Sequence, residues 1–240
     1  MIEMLSHFFQ TLWTKAYRQN DANILSLLEP NPKAVVLDVG CGDGQKSQKF
    51  KEKIGCSKIF GIDGVSQRLL NAKERDVEIK KTDLEHKWPF PNQFFDVIIS
   101  NQVIEHIHDL DNFISETKRV LKPGGYAVIS TENLSSWHNI FALLLGYQDF
   151  SHHLIKKSHV GNPLSPHYGQ KTVSWSAAGN SGTDDTAFPH VKIMTLRSLI
   201  SIFEVYGFKA KKYLGSGYFL SSLDPFHSHF ITIKIRKIKP

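Results

Sequence analysis

Several features that would place a chain outside the cell or in a membrane are scarce here. Only Cys41 and Cys56 are cysteines among 240 residues, which excludes a disulfide framework and a zinc site of paired cysteines. A reduced, cytoplasmic setting is the expectation. The first twenty residues, "MIEMLSHFFQTLWTKAYRQN", lack a basic start, an apolar core and a small-residue cleavage site, so no secretory leader is expected. The longest apolar run, "IFALLL" at Ile140–Leu145, falls far short of the about 20 residues that span a bilayer. Low-hydrophobicity tracts and internal repeats are also missing. With 41% hydrophobic residues, the chain has enough apolar surface for the core of one domain, with room for an insertion.

Negative charge is in deficit, and the formal balance of +6 permits an anionic partner. The lysines are scattered, however, and the single dense stretch is the C-terminal "KIRKIKP". It reads as an edge strand kept soluble by lysine. No run of interleaved aromatic and basic residues argues for nucleic acid.

What is present is an alternation. "AVVLDV" reads as a buried strand, "GQKSQKFKEKIG" as a helix ending at Gly55, and "KIFGID" as a second strand. "SQRLLNAKER" is a helix opened by Ser66 as N-cap, "VEIKKTD" a third strand and "FDVIIS" a fourth. A helix over Leu110–Leu121 is ended by "KPGG", with Gly124 and Gly125 as cap and turn, before the fifth strand "YAVIST". Strand and helix alternating at this spacing predict a doubly wound α/β fold, a parallel sheet with helices on both faces. Such sheets bind ligands beyond the carboxyl ends of their strands. After residue 131 the pattern breaks into a stretch rich in Ser, Gly, His and aromatics, including Trp137, Phe141, Tyr147, Phe150, Tyr168 and Trp175. Long irregular loops are usually functional or disordered, and the aromatics favour an acceptor-binding cap. "TLRSLISIFEVYGF" then gives a helix, and "KAKKYLG" and "HFITIKIRKI" the last two strands.

The residues just after each strand carry the chemistry. After Asp38 the turn "GCGDG" places glycines at 40, 42 and 44. A dinucleotide fingerprint needs its third glycine one position later, where Gln45 stands. The turn instead resembles the first motif of class I S-adenosylmethionine-dependent methyltransferases. That resemblance implies that Asp38, Gly40 and Gly42 line the amino-acid end of the cofactor, with Cys41 filling a small slot. Asp63, at the end of the second strand, is suited to both ribose hydroxyls, with Gly64 and Val65 following the ribose and adenine. Asp83 would bond the adenine amino group and Leu84 pack on the ring; a turn cap is the plainer reading of Asp83.

"FDVIISNQVIEHI" (95–107) is similar to the fourth strand and following loop of small-molecule members such as quinone-biosynthesis methyltransferases, through Phe95-Asp96 and Glu105-His106. Asn101 and Gln102 would sit beside the sulfonium. "RVLKPGGYAVIST" (119–131) matches the next helix, turn and strand of the same group. The family implies a Rossmann-like, mostly parallel seven-stranded sheet with an irregular insertion after strand 5. Residues 1–131 form a helical segment plus the cofactor-binding core, 132–194 the insertion, and 195–240 the last helix and two strands.

The reaction so implied is transfer by in-line displacement, in which positioning alone supplies about 7–11 kcal/mol. A hydroxyl acceptor gains from a general base. Of the 12 histidines, His106 is the candidate base by its place after the fourth strand. His138, His152, His153, His159, His167 and His190 lie in the insertion. None of these pairs has a metal-ligand spacing, and no metal is expected. The chain lacks the Asn- or Asp-Pro-Pro-aromatic block of amino-methylating DNA enzymes and the cysteine of those acting on cytosine C5. "ENLSSWHNIFALLLGYQ" resembles relatives found with cell-surface polysaccharide genes. The acceptor expected is therefore a small molecule or glycan methylated on oxygen, with peripheral membrane contact if it is lipid-linked. The alternatives are an RNA or protein methyltransferase, an inactive cofactor-binding partner subunit and, least of all, a nicotinamide dehydrogenase.

Overall fold

The computed structural model describes residues 2–155, 157–172, 186–187, 189–217 and 224–238. The elements run α1 (Ile2–Leu27), β1 (Val36–Val39), α2 (Gln45–Ile54), β2 (Ile59–Asp63), α3 (Ser66–Glu74), β3 (Glu78–Lys81), β4 (Phe95–Asn101), α4 (Leu110–Val120) and β5 (Leu121–Glu132). They continue with α5 (Trp137–Leu144), the two-residue strands β6 (Lys171–Thr172) and β7 (Thr186–Ala187), α6 (Leu196–Val205), β8 (Phe208–Ser216) and β9 (Phe230–Lys237). Seven strands form one sheet in the order β3-β2-β1-β4-β5-β9-β8. Every pairing from β3 to β5 is parallel, and β9 is antiparallel to both its neighbours.

Alternation along the strands sorts two cores, one on each face. Leu37, Ile98, Ala127 and Ile233 pack with Phe113 of α4 and Phe203 of α6. Val36, Val97, Ile99 and Val128 pack with Ile24 of α1, Phe50 of α2 and Ala72 of α3. A period of two in side-chain direction thus serves helices on both faces, as the doubly wound expectation requires.

Three sequence-based expectations are corrected. "KIRKIKP" does not form an edge: β9 lies between β5 and β8. Its described basic residues are absorbed, with Lys234 Nζ donating to the Leu27 carbonyl at the end of α1 and to Glu29 Oε1, both at 2.6 Å. A cation there complements the negative end of the helix. The solvated edge is β8, where Lys209, Lys211 and Lys212 are exposed. Second, "KPGG" does not cap α4. Leu121 is the C-cap, β5 begins at once, and the register irregularity of β4 and β5 falls across the glycines. Third, Ser66 is the first helical residue of α3, and Val65 holds the cap position.

The insertion after β5 leaves and rejoins the core at one place. Asn133 bridges Met194, Leu134 N–H donates to the Met194 carbonyl at 3.0 Å, and the Asn133 amide donates to the carbonyls of Phe226 and Ser228, both at 2.8 Å. Within the insertion, α5 buries only Asn139 and Ala142. Phe141, Leu143 and Leu144 are 59%, 53% and 76% exposed, so this helix is not a core element of the cap. Trp175 lies outside the described residues.

Candidate active site

The parallel order β3-β2-β1-β4 brings Asp83, Asp63, Asp38 and Asn101 to one edge of the sheet, on successive strands about 4.8 Å apart. Strand order reverses between β1 and β4, and such a point opens a crevice for ligands. Gly40 occupies the left-handed region at φ 75°. Its N–H donates to the Ile62 carbonyl at 2.8 Å, and a Cβ there would stand 2.3 Å from Val103 Cγ2. Only glycine makes that turn against that wall. Cys41 fills the space over Gly61, whose own Cβ would meet the sulfur at 2.6 Å. Burial pushes its thiol well up, so it packs rather than reacts.

Gly42 differs from its neighbours: nothing lies within 4 Å of where its Cβ would be. Its N–H donates to Asp63 Oδ2 at 3.0 Å, and Val65 N–H to Asp63 Oδ1 at 2.8 Å. Asp63 therefore ties the glycine turn to the start of α3. Gly64 beside it is half-buried, and Val65 is buried. Asp38 is buried and accepts from Ser47 Oγ at 2.6 Å. Burial raises its carboxyl to about 7 against the lowering influence of Ser47 and Lys46, with Asp63 adding to the rise.

Asp83 is exposed and accepts from Glu85 N–H at 3.0 Å as a turn cap, while its second oxygen lies 3.8 Å from His86 Nε2. Leu84 is buried and belongs to the core cluster that also holds Val103 and Ile104. At the end of β4, Asn101 Oδ1 accepts from Asn20 Nδ2 at 2.9 Å. Gln102 takes a left-handed backbone, φ 57°, and its N–H donates to the Ser130 carbonyl. Asn20 was not singled out from the sequence. It is fully buried in α1, and its Oδ1 also accepts from Ser130 and Thr232, joining α1 to β4, β5 and β9. A lone Asn within a helix carries no local signal of such a role.

His106 ends a short 3-10 turn, Ile104–His106. Its Nδ1 lies 3.1 Å from the Pro189 carbonyl, and its ring centroid is 4.7 Å from that of His190. Burial, then the neighbouring His190, lowers it to about 3. It is thus neutral but a weak proton acceptor. His153, His159, His167 and His190 gather within 4.5–6.2 Å of one another where these ring pairs are in contact, while His152 pairs with Asp149. Between α1 and the insertion opens a cavity of about 580 Å³, walled by Trp13, Trp137, Phe141, Phe150, His138 and His167 among others. That is the size of a small-molecule site.

A bare glycine turn beneath β1, with carboxylates at three adjacent strand ends on this sheet order, defines the class I S-adenosylmethionine-dependent methyltransferases. A family model described as a methyltransferase domain matches residues 12–212, and the chain belongs to that family. The ubiquinone biosynthesis O-methyltransferase of Pelagibacter ubique is 29% identical over 146 residues, which cover 58% of this chain and 60% of that protein. The human mitochondrial protein of the same name is 32% identical over 107 residues, 41% of this chain and 28% of its own. The chain thus spans less than two thirds of these relatives' length. Among solved structures, a methyltransferase of Thermotoga maritima described as a possible histamine N-methyltransferase superposes with a TM-score of 0.62 at 16% identity, covering 99% of this chain and all of that one. One from Mesorhizobium loti gives 0.60 at 18%, covering 90% and 96%. At such identities the likeness is one of fold. Among the described residues, no helix is long and apolar enough to cross a membrane.

The residues at the strand ends fit S-adenosylmethionine, the cofactor of the class. The open side of Gly42 leaves room for a close-lying chain, buried Asp38 would supply a counter-charge to an ammonium, and Asp63 closes β2 where a ribose would lie. Bound there, the cofactor supplies a methyl group on a sulfonium.

Proposed function

We propose that this protein transfers a methyl group to an oxygen of a small acceptor whose apolar body occupies the cavity between α1 and the insertion. The observation that carries this reading is the wall of that cavity, in which aromatic rings from α1 and the insertion converge and the polar groups are chiefly histidines. Burial keeps His138 and His229 neutral there, which suits an uncharged body over a phosphate. In this reading Asp38, Gly40 and Gly42 hold the amino-acid end of the cofactor, with Asp63, Gly64, Val65, Asp83 and Leu84 along the adenosine. Asn101 and Gln102 border the methyl group. His106, close to the end of β4, stands beside the acceptor hydroxyl, and its weak basicity makes it a poor base on its own. The similarity to ubiquinone biosynthesis O-methyltransferases supports oxygen as the methylated atom.

The exposed outer side of α5 supports a lipid-linked acceptor met at a membrane surface, because apolar residues at a cavity mouth favour an interface. The test begins with calorimetric titration of S-adenosylmethionine, S-adenosylhomocysteine and NAD in parallel. Acceptors are then screened by S-adenosylhomocysteine release: prenylated phenols, lipid-linked and nucleotide sugars, and RNA. Binding of both sulfur ligands without NAD, and O-methylation of an acceptor with an apolar body, is expected. Methylation of RNA alone would overturn the small-molecule reading.

A further inference from the structure

Glu105 is fully buried on the turn after β4, and its two oxygens are unequal. Oε2 accepts from Thr131 Oγ1 at 2.8 Å, whereas Oε1 has no hydrogen-bond partner. An unsatisfied buried carboxylate oxygen costs several kcal/mol unless something completes it. Its neighbours are two imidazoles. The ligand atoms of Glu105, His106 and His190 all lie within 4.8 Å of one another.

Each imidazole is turned by a group on its far side. His106 Nδ1 faces the Pro189 carbonyl, which only accepts, so the proton resides on Nδ1 and the lone pair on Nε2. His190 Nδ1 lies 3.4 Å from Glu132 Oε2, close enough for an ion pair though not aligned as a hydrogen bond. A proton drawn to that side again leaves the lone pair on Nε2. Metal-binding histidines are held this way, one nitrogen toward a carbonyl or carboxylate and the other toward the ion.

We propose that Glu105, His106 and His190 form a binding site for one divalent transition-metal ion, zinc foremost. Two imidazole nitrogens and a carboxylate suit zinc and its neighbours, whereas magnesium and calcium prefer oxygen alone. An ion holding each ligand at about 2.0–2.2 Å needs only a small inward rotation of the side chains. Three protein ligands leave a fourth position, the pattern of sites that meet substrate. His153 is not a fourth ligand through Nε2: its Nδ1 accepts from His190 N–H at 3.2 Å, which places its own proton on Nε2. The sequence carried no signal for such a site because its residues are far apart in the chain. Two ligands come from the loop after β4, the third stands 84 positions beyond His106, and no spacing rule joins them.

Without an ion, the same groups would form a buried imidazolium between two carboxylates. Burial works against that charge, yet Glu132 and Glu105 outweigh it and raise His190 to about 9. The experiment separates the two arrangements. Untagged protein is assayed for metal by mass spectrometry, stripped with chelator, and titrated with zinc by calorimetry and with cobalt by visible absorption. One equivalent of zinc and a cobalt spectrum of four-coordinate intensity are expected. His190→Ala and Glu105→Gln should each weaken zinc binding at least tenfold, and Glu132→Gln less. His86→Ala, exposed after β3, should leave it unchanged. No stoichiometric uptake, or uptake unchanged in both ligand variants with circular dichroism intact, overturns the site. S-adenosylmethionine is titrated into the same samples. Loss of one ligand's binding with the other retained identifies which reading has failed, because the ion's binding does not depend on methyl transfer.

Discussion

Asp38 occupies an environment that ordinary carboxylates avoid, buried with a serine hydroxyl as partner and a second carboxylate, Asp63, near enough to repel it. In the folded protein it holds its proton to about pH 7, against 3.8 as its ordinary value. The protonated form therefore stabilises the ligand-free fold below about pH 4, and this contribution is lost as pH rises toward 7. Asp38→Asn, which carries no proton to lose, is expected to gain on the wild type between pH 5 and 8 by on the order of 1–3 kcal/mol in urea unfolding. An ammonium beside Asp38 reverses the preference. Affinity for S-adenosylmethionine should climb across that range, up to about tenfold per pH unit below 7, with proton release seen when calorimetry is repeated in buffers of different ionisation enthalpy. A flat profile with no proton exchange would remove Asp38 as the counter-charge.

Within the turn between β1 and α2, three left-handed glycines do different work. A Cβ on Gly44 would meet Ala72 Cα at 2.9 Å, whereas one on Gly42 would meet nothing. Gly44→Ala is expected to cost about 2–4 kcal/mol, from backbone strain of about 1–2 together with overpacking between α2 and α3. Gly42→Ala should cost only the strain, yet impair cofactor binding more. Unfolding curves and calorimetry on both variants check the contrast, and equal stability losses would refute it. These glycines were legible in the sequence because turn, acid and strand are neighbours along the chain. Asp63 was legible as the acid that closes the second strand, although one partner, Gly42, lies 21 positions away. The place of β9 was not: its lysines resemble an edge, and only the return of β8 along its far side buries it. Nor was Asn20, whose partners lie on three strands 81 to 212 positions away. Long-range pairing of polar side chains has no period to reveal it.

At the scale of the whole molecule, the proposed reading gives donor and acceptor to different parts, the strand ends for one and the cavity between α1 and the insertion for the other. Leu143 and Leu144 are exposed on α5 and take no part in the cavity wall. Leu143→Ser with Leu144→Ser should leave stability within about 0.5 kcal/mol while reducing sedimentation with phospholipid vesicles. Undiminished sedimentation would place the membrane contact elsewhere.

The bridge between Asn133 and Met194 has an evolutionary consequence. Because the intervening chain departs and returns at a single point, recombination can exchange one such segment for another whose ends meet at the same spacing. Closing a longer or shorter loop there costs little, about 0.6 kcal/mol per doubling of length. If the insertion holds the acceptor as proposed, new acceptor ranges can arise by splicing at this junction, with the glycine turn and its carboxylates inherited unchanged.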